Sequence, residues 1–338
     1  MKIWIDVLTP KQLLFAESII EELSKKHQIL CTSRSYEEVS KLAKIRNFDL
    51  IYVGKHGGIK KSTKLEASFT RMKKLIPIIY KFTPELTISF CSPEAARISF
   101  GLGIKHIAFC DSPHASSVMK LTVPLIQKLL IPWIIPKKEF SKFGIQEKDI
   151  IPYKAIDAFV TLKRRTIQER NPFIKSDKKN ILIRMDEEEA AYATKSKNII
   201  PIIIELVKTF DGENIVILGR YEKQIKELKN RFGKKVLVLK MSFDGKTLLE
   251  NTDVFIGSGG TMTAEAALMG LPTISYNAVP NIIEKFLVKK DLVRRETNPR
   301  KIIKILEKAF KSSKEYKIRA EKFSSLMEDP IEKLLQII

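Results

Sequence analysis

Between Gly257 and Thr261 the chain reads Gly-Ser-Gly-Gly-Thr, and Glu265 follows one helical turn later. Small residues in this pattern let an anion approach free backbone N–H groups where a helix starts and its dipole is positive. Ser258, Gly259, Gly260 and Thr261 are therefore candidate phosphate ligands. Glu265 adds a carboxylate that only accepts and can take two donors at once. Arg184, closing the stretch Asn180 to Arg184, is placed to pair with a diphosphate. A tight turn in an ordinary α/β protein would use the same glycines. For acid–base work the chain offers four histidines. His27 begins an apolar stretch and His106 lies inside one, so both read as structural. His56 and His114 stand beside glycine or proline in loops, where functional residues concentrate. Asp111 ends IAFCD and either serves chemistry or closes an Asx turn over Ser-Pro-His. Asp6 is a further choice for a base.

Alternating strands and helices must position these residues. KIWIDV, HQILCT, FDLIYVG, TISFCS and KHIAFC read as strands of a first half. Thr9-Pro10 with Gln12 reads as a capped helix start, as does Ser92-Pro93-Glu94. Residues 116–130 read as a helix, with PWIIP and AIDAFV as edge strands. A polar stretch over residues 164–180 marks a linker. NILIRMD, NIVILG, KVLVLK, DVFIGS and PTISY form a second series, and helices close the chain. The expected fold is α/β, with two Rossmann-like domains facing a central cleft. Residues 1–165 form the first domain and 178–310 the nucleotide-binding one. Residues 311–338 are expected to be helices packing back on the first.

Composition narrows the partners. The 338 residues are 44% hydrophobic and 29% charged, which is globular rather than disordered. The net charge of +21 would draw any polyanion. Its lysines are scattered along amphipathic segments, which argues against a dedicated nucleic-acid surface. Cys31, Cys91 and Cys110 fit neither a zinc pattern nor a secreted disulfide framework and read as core thiols. The opening MKIWIDVL reads as a strand, not a signal peptide, and no run reaches a membrane span, so the expected location is cytoplasmic. The apolar and basic stretch Leu121 to Lys138 is where a peripheral membrane contact would fall.

The stretch GSGGTMTAEAALMGLPTIS, residues 257–275, resembles the donor-binding segment of glycosyltransferase-B-type proteins. These include the GlcNAc transferase of peptidoglycan synthesis and the UDP-GlcNAc 2-epimerases. SPEAARISFGLGIKHIAFCDSPHAS resembles the matching stretch of their acceptor domain. With IDVLTPKQ and VGKHGG, the chain is most similar to an archaeal and bacterial family of uncharacterised function with this fold. The resemblance implies a nucleotide sugar as substrate, a UDP-sugar first, and no required cofactor. Glu265 would receive the ribose hydroxyls, and Met241, Ser242 and Phe243 would pack the base. Asp111, His114 and His56 become the catalytic candidates. The reading favoured is a glycosyltransferase with an unidentified acceptor, a lipid-linked one among the options. An epimerase and a non-catalytic nucleotide-sugar-binding protein are the alternatives. The glycine-rich histidine loop usual after the first strand of the transferases is missing, since the chain reads DVLTPKQ there.

Overall fold

A computed structural model describes residues 1–58, 60–165, 167, 178–185, 199–240, 244–276 and 281–338. The chain divides into two compact units, Met1–Arg164 with Glu328–Ile338, and Arg165–Met327. Unit 1 holds β1 (Lys2–Asp6), β2 (Gln28–Ser35), β3 (Ile51–Lys55), β4 (Leu86–Ser89), β5 (Lys105–Phe109), β6 (Lys128–Pro132) and β7 (Ile150–Tyr153). They form one parallel sheet in the order β3-β2-β1-β4-β5-β6-β7. Unit 2 holds β8 (Asn180–Arg184), β9 (Asn214–Gly219), β10 (Leu237–Lys240), β11 (Val254–Gly257), β12 (Thr273–Ser275) and β13 (Arg294–Arg295). Its order is β10-β9-β8-β11-β12-β13, again parallel throughout. Two parallel-sheet Rossmann-like units are what the alternating pattern predicts.

Period-two burial on both faces holds each sheet. In unit 2, Ile181, Ile183, Ile215, Ile217, Val254 and Ile256 enter one core. The residues between them, Leu182, Val216, Leu218 and Phe255, enter the core on the other face. Helices on both faces make this possible, and each such side chain stabilises by about 1.5–3 kcal/mol on burial. In both units the chain adds strands outward in one direction, then returns to pair with the first strand. The turning points lie between β1 and β4 and between β8 and β11. Ligands of such sheets bind at the carboxyl ends flanking that point.

Three expectations change. The stretch 116–130 is helical only to Thr122; a 3-10 turn at Val123–Leu125 contains Pro124, which interrupts the helix, and β6 follows. PWIIP therefore ends β6 at Pro132 and continues as a turn, and AIDAFV enters the helix Asp157–Lys163. Within residues 121–138, Leu129, Leu130 and Ile131 are fully buried core, and Leu121 is the exposed large hydrophobic. Pro124 and Pro136 are exposed as well, and Leu125, Trp133 and Ile134 are half-buried. Residues 311–338 also divide. The helix Ser313–Ser324 packs on the helix Thr261–Leu268 of unit 2. Only the last segment joins unit 1, through Glu328 on the Lys154 N–H at 2.5 Å and Asp329 on Lys163 at 2.9 Å. Among the described residues, no helix is long and apolar enough to cross a membrane.

Candidate functional site

Unit 2 builds its site at the β8/β11 turning point. Buried Arg184 ends β8, and β11 runs into Gly257 and the loop 258–260. Gly257 has no room for a side chain, because a Cβ there would lie 2.6 Å from Thr263 Oγ1. That hydroxyl accepts from the Gly259 N–H at 3.2 Å, which folds the loop onto the helix start. Gly259 itself has φ +91, a conformation that favours glycine. The helix Thr261–Leu268 has Gly260 at its N-cap, with no side-chain cap and no acidic residue in its first turn. Its first N–H groups are thus the positive terminus that an anion would meet. Ser258, Gly259 and Thr261 are half-buried and Gly260 is exposed. Glu265 is 4% exposed, and its Oε2 would lie 3.8 Å from a Cβ on Gly245. Met241, Ser242 and Phe243, and the acidic residues 186–189, lie outside the described residues.

At the unit 1 turning point stands Asp6, and it is saturated. Its oxygens accept from Arg71 at 2.6 and 3.1 Å, from Thr32 Oγ1 at 2.6 Å and from Ser92 Oγ at 2.7 Å. Fully buried, Asp6 is a structural hub and leaves no lone pair for a substrate proton. Ser92 also caps the helix Pro93–Gly101, donated to by the Ala95 N–H at 3.3 Å. Burial opposes the charge on Arg71, but Asp6 and Glu94 outweigh it and hold the guanidinium pKa above its ordinary value.

The acid–base groups lie further along the same edge. Lys11, at the start of the helix Pro10–Leu23, reaches both Asp111 after β5 and Asp157 at 2.6 Å. Tyr153 Oη donates to Asp157 at 2.5 Å, and Ser112 Oγ donates to Asp111 at 2.8 Å. Asp157 is buried, whereas the side chains of Lys11 and Asp111 each keep 21% exposure. Burial raises both carboxyls. At Asp111 the charge and hydrogen bond of Lys11, with Ser112 and His114, turn the balance and the pKa falls below the ordinary value. At Asp157 burial, with the added charge of Asp111, prevails over Lys11 and the pKa is raised. Burial disfavours the Lys11 ammonium, but the two carboxylates more than restore it.

Of the three catalytic candidates, Asp111 and exposed His114 share one loop, and the charge of His114 acts on Asp111. His56 does not join them. It follows β3, four strand spacings from β5, or about 19 Å. There it lies against Tyr36, with ring centroids 5.2 Å apart, and its Nδ1 accepts from the Gly58 N–H at 3.2 Å. Burial, then Arg34 and Lys64, lower its pKa.

A family model described as a protein of unknown function, DUF354, matches residues 1–336. The chain belongs to that family. This DUF354 chain is 29% identical over 323 residues to an uncharacterized protein of Methanocaldococcus jannaschii, covering 91% of each. Among solved structures it is similar to the UDP-GlcNAc 2-epimerase of Neisseria meningitidis bound to UDP-GlcNAc. That match has a TM-score of 0.74 and 18% identity, over 99% of this chain and 100% of the other. The UDP-GlcNAc 2-epimerase of M. jannaschii, with UDP-GlcNAc and UDP, matches at TM-score 0.70 and 18% identity, over 92% and 93%. The spinosyn forosaminyltransferase SpnP matches at TM-score 0.62 and 12% identity, over 100% and 99%. The DUF354 chain thus has the glycosyltransferase-B-type fold.

Lys11, Asp157 and Tyr153 belong to this cluster, and the sequence of the DUF354 chain singled out none of them. Lys11 follows the Thr9-Pro10 helix start with no signal of its own, and Asp157 fell in AIDAFV, read as a strand. The missed signal is a helix whose first turn opens with a buried acid, Asp157.

Proposed function

We propose that this protein is an enzyme acting on a nucleotide sugar, and that its chemistry is epimerisation at a sugar carbon. The observation that carries the reading is Lys11 held between Asp111 and Asp157, with the two carboxyls pushed in opposite directions. Neighbouring acids driven apart in this way mark a base and a proton holder. Asp111 is partly exposed and ionised, so it is the group to remove a proton. Lys11 is the cation beside it, able to steady developing negative charge. Asp157, with Tyr153, is a positioning residue that keeps the lysine charged and aimed.

Unit 2 carries an anion site of its own in this reading. Thr261 and the first turn of its helix face the diphosphate, Arg184 at the end of β8 adds charge, and Glu265 receives hydroxyls. Similarity to epimerase structures over 90% or more of the chain supports the choice. The second reading is a glycosyltransferase, which needs a single base for an acceptor hydroxyl, and Asp111 fits that role alone. Incubating the protein with UDP-GlcNAc in deuterated water tests the two. Deuterium entering the sugar without any acceptor, and lost in Asp111→Asn, is the expected result. Release of UDP that depends on an added acceptor, with no deuterium in the sugar, would instead select the transferase.

A further inference from the structure

The glycine loop rests on an acid. Glu284 lies in the first turn of the helix Ile282–Lys289 with 2% of its surface exposed. Its Oε1 accepts from Ser275 Oγ at the end of β12. Its Oε2 is buried and has no hydrogen-bond partner among the described residues. The carboxyl is packed on the loop backbone: a Cβ on Gly259 would lie 3.0 Å from Cδ and 3.1 Å from Oε1 of Glu284. The same helix start grips the loop again. Asn281 donates from Nδ2 to the Gly259 carbonyl at 3.2 Å, while its Oδ1 accepts from the Glu284 N–H at 2.7 Å.

Two cations face this carboxyl. Arg295 on β13 brings Nε to 4.0 Å from Oε1, beyond hydrogen-bond distance, and Lys285 is the exposed next residue of the helix. Burial raises the Glu284 pKa, and the Ser275 hydrogen bond, Arg295 and Lys285 only partly offset it. A negative charge directly beneath a loop that receives phosphate repels the phosphate through a region water does not screen. A proton on the unpartnered oxygen removes that repulsion.

We propose that Glu284 is the proton-linked gate of the glycine loop: a phosphate-bearing ligand binds with uptake of one solvent proton onto the Glu284 carboxyl. This rests on the reading that the loop holds phosphate. Glu284 is a positioning residue here, since Gly259 stands between it and the ligand. The ligand class is a phosphodiester or diphosphate diester whose own charge does not change near neutral pH. For such a ligand, affinity falls about tenfold per pH unit above the Glu284 pKa.

Isothermal titration of the full chain with UDP-GlcNAc at pH 8, in two buffers of different ionisation enthalpy, counts the protons directly. About one proton taken up by the wild type and none by Glu284→Gln is the expected result. The variant then binds tighter than the wild type at pH 8, and that advantage shrinks as the pH falls. Binding by the wild type with no proton uptake and no pH dependence overturns the gate and leaves the phosphate reading intact. Failure of both proteins to bind UDP-GlcNAc or inorganic pyrophosphate, at pH 5 and at pH 8, overturns both. Because the proton count is made on the wild type, it does not depend on how the variant folds.

Discussion

Lys11 and Arg71 are the two cations whose removal tells most, because each is closed by carboxylates. Lys11→Met leaves Asp111 and Asp157 facing one another, so both folded-state pKa values rise above their unfolded ones. Stability from such raised acids is present below the unfolded pKa and lost as pH rises through the folded one. The variant should therefore lose about 3 kcal/mol at pH 8 and much less at pH 4, read from urea midpoints at the two values. An equal loss at both would mean the lysine does not hold the pair. Arg71→Met strands the fully buried charge of Asp6. We expect a loss of about 3–5 kcal/mol, with Arg71→Lys failing to restore it because a point charge cannot reproduce the two-pronged contact. Denaturation of the three proteins side by side checks this, and recovery by the lysine would show that only charge matters.

Two glycines near one helix separate ligand binding from packing at the level of elements. Gly259 at φ +91 touches Glu284, and Gly270 at φ +75 faces the Lys317 backbone, where a Cβ would lie 2.6 Å from Cα. Either alanine substitution strains the backbone by about 1–3 kcal/mol. Gly259→Ala displaces the loop and should abolish the thermal shift produced by UDP-GlcNAc. Gly270→Ala pushes the helix Ser313–Ser324 away from the helix Thr261–Leu268 and should lower Tm while keeping the shift. Melting curves with and without ligand decide, and loss of the shift in both variants would remove the distinction. Close helix packing thus accounts for the glycine at position 270.

For the molecule as a whole, acid sensitivity should come from a buried histidine of unit 1. His106 is fully buried in β5, its Nε2 lies 2.9 Å from Ser89 Oγ, and burial pushes its pKa down to about 3 from 6.5. A depressed folded-state pKa stabilises above the unfolded value, and that contribution is lost as pH falls from 6.5 toward about 3. Asp157 and Glu284, with raised pKa values, act in the opposite sense. His106→Gln should flatten the decline in stability between pH 6.5 and pH 4. A series of denaturant midpoints measures the slope, and an unchanged slope would place the acid-labile group elsewhere.

Periodicity alone carried the sheet architecture. Alternating apolar runs such as NIVILG, bounded by capped helices, leave few arrangements other than parallel sheets covered on both faces. The glycine loop was equally legible, because its conformation depends on residues adjacent in sequence: Gly257 yields to Thr263, and Gly259 takes a positive φ. The short strands β6 and β7 were misplaced, since a four- or five-residue apolar run carries no reliable period and Pro124 was read through. The acid–base cluster lay beyond any local reading. Lys11, Asp111 and Asp157 are separated by 100 and 46 positions, and they meet only because two helices pack side by side beside β5. Sequence determined most of the strands and the glycine loop after β11. Tertiary structure decided that Asp6 is an inert hub, that Lys11 is a clamped cation and that Glu284 lies under the loop. Burial and partner count, which set those roles, are properties of packing and not of order along the chain.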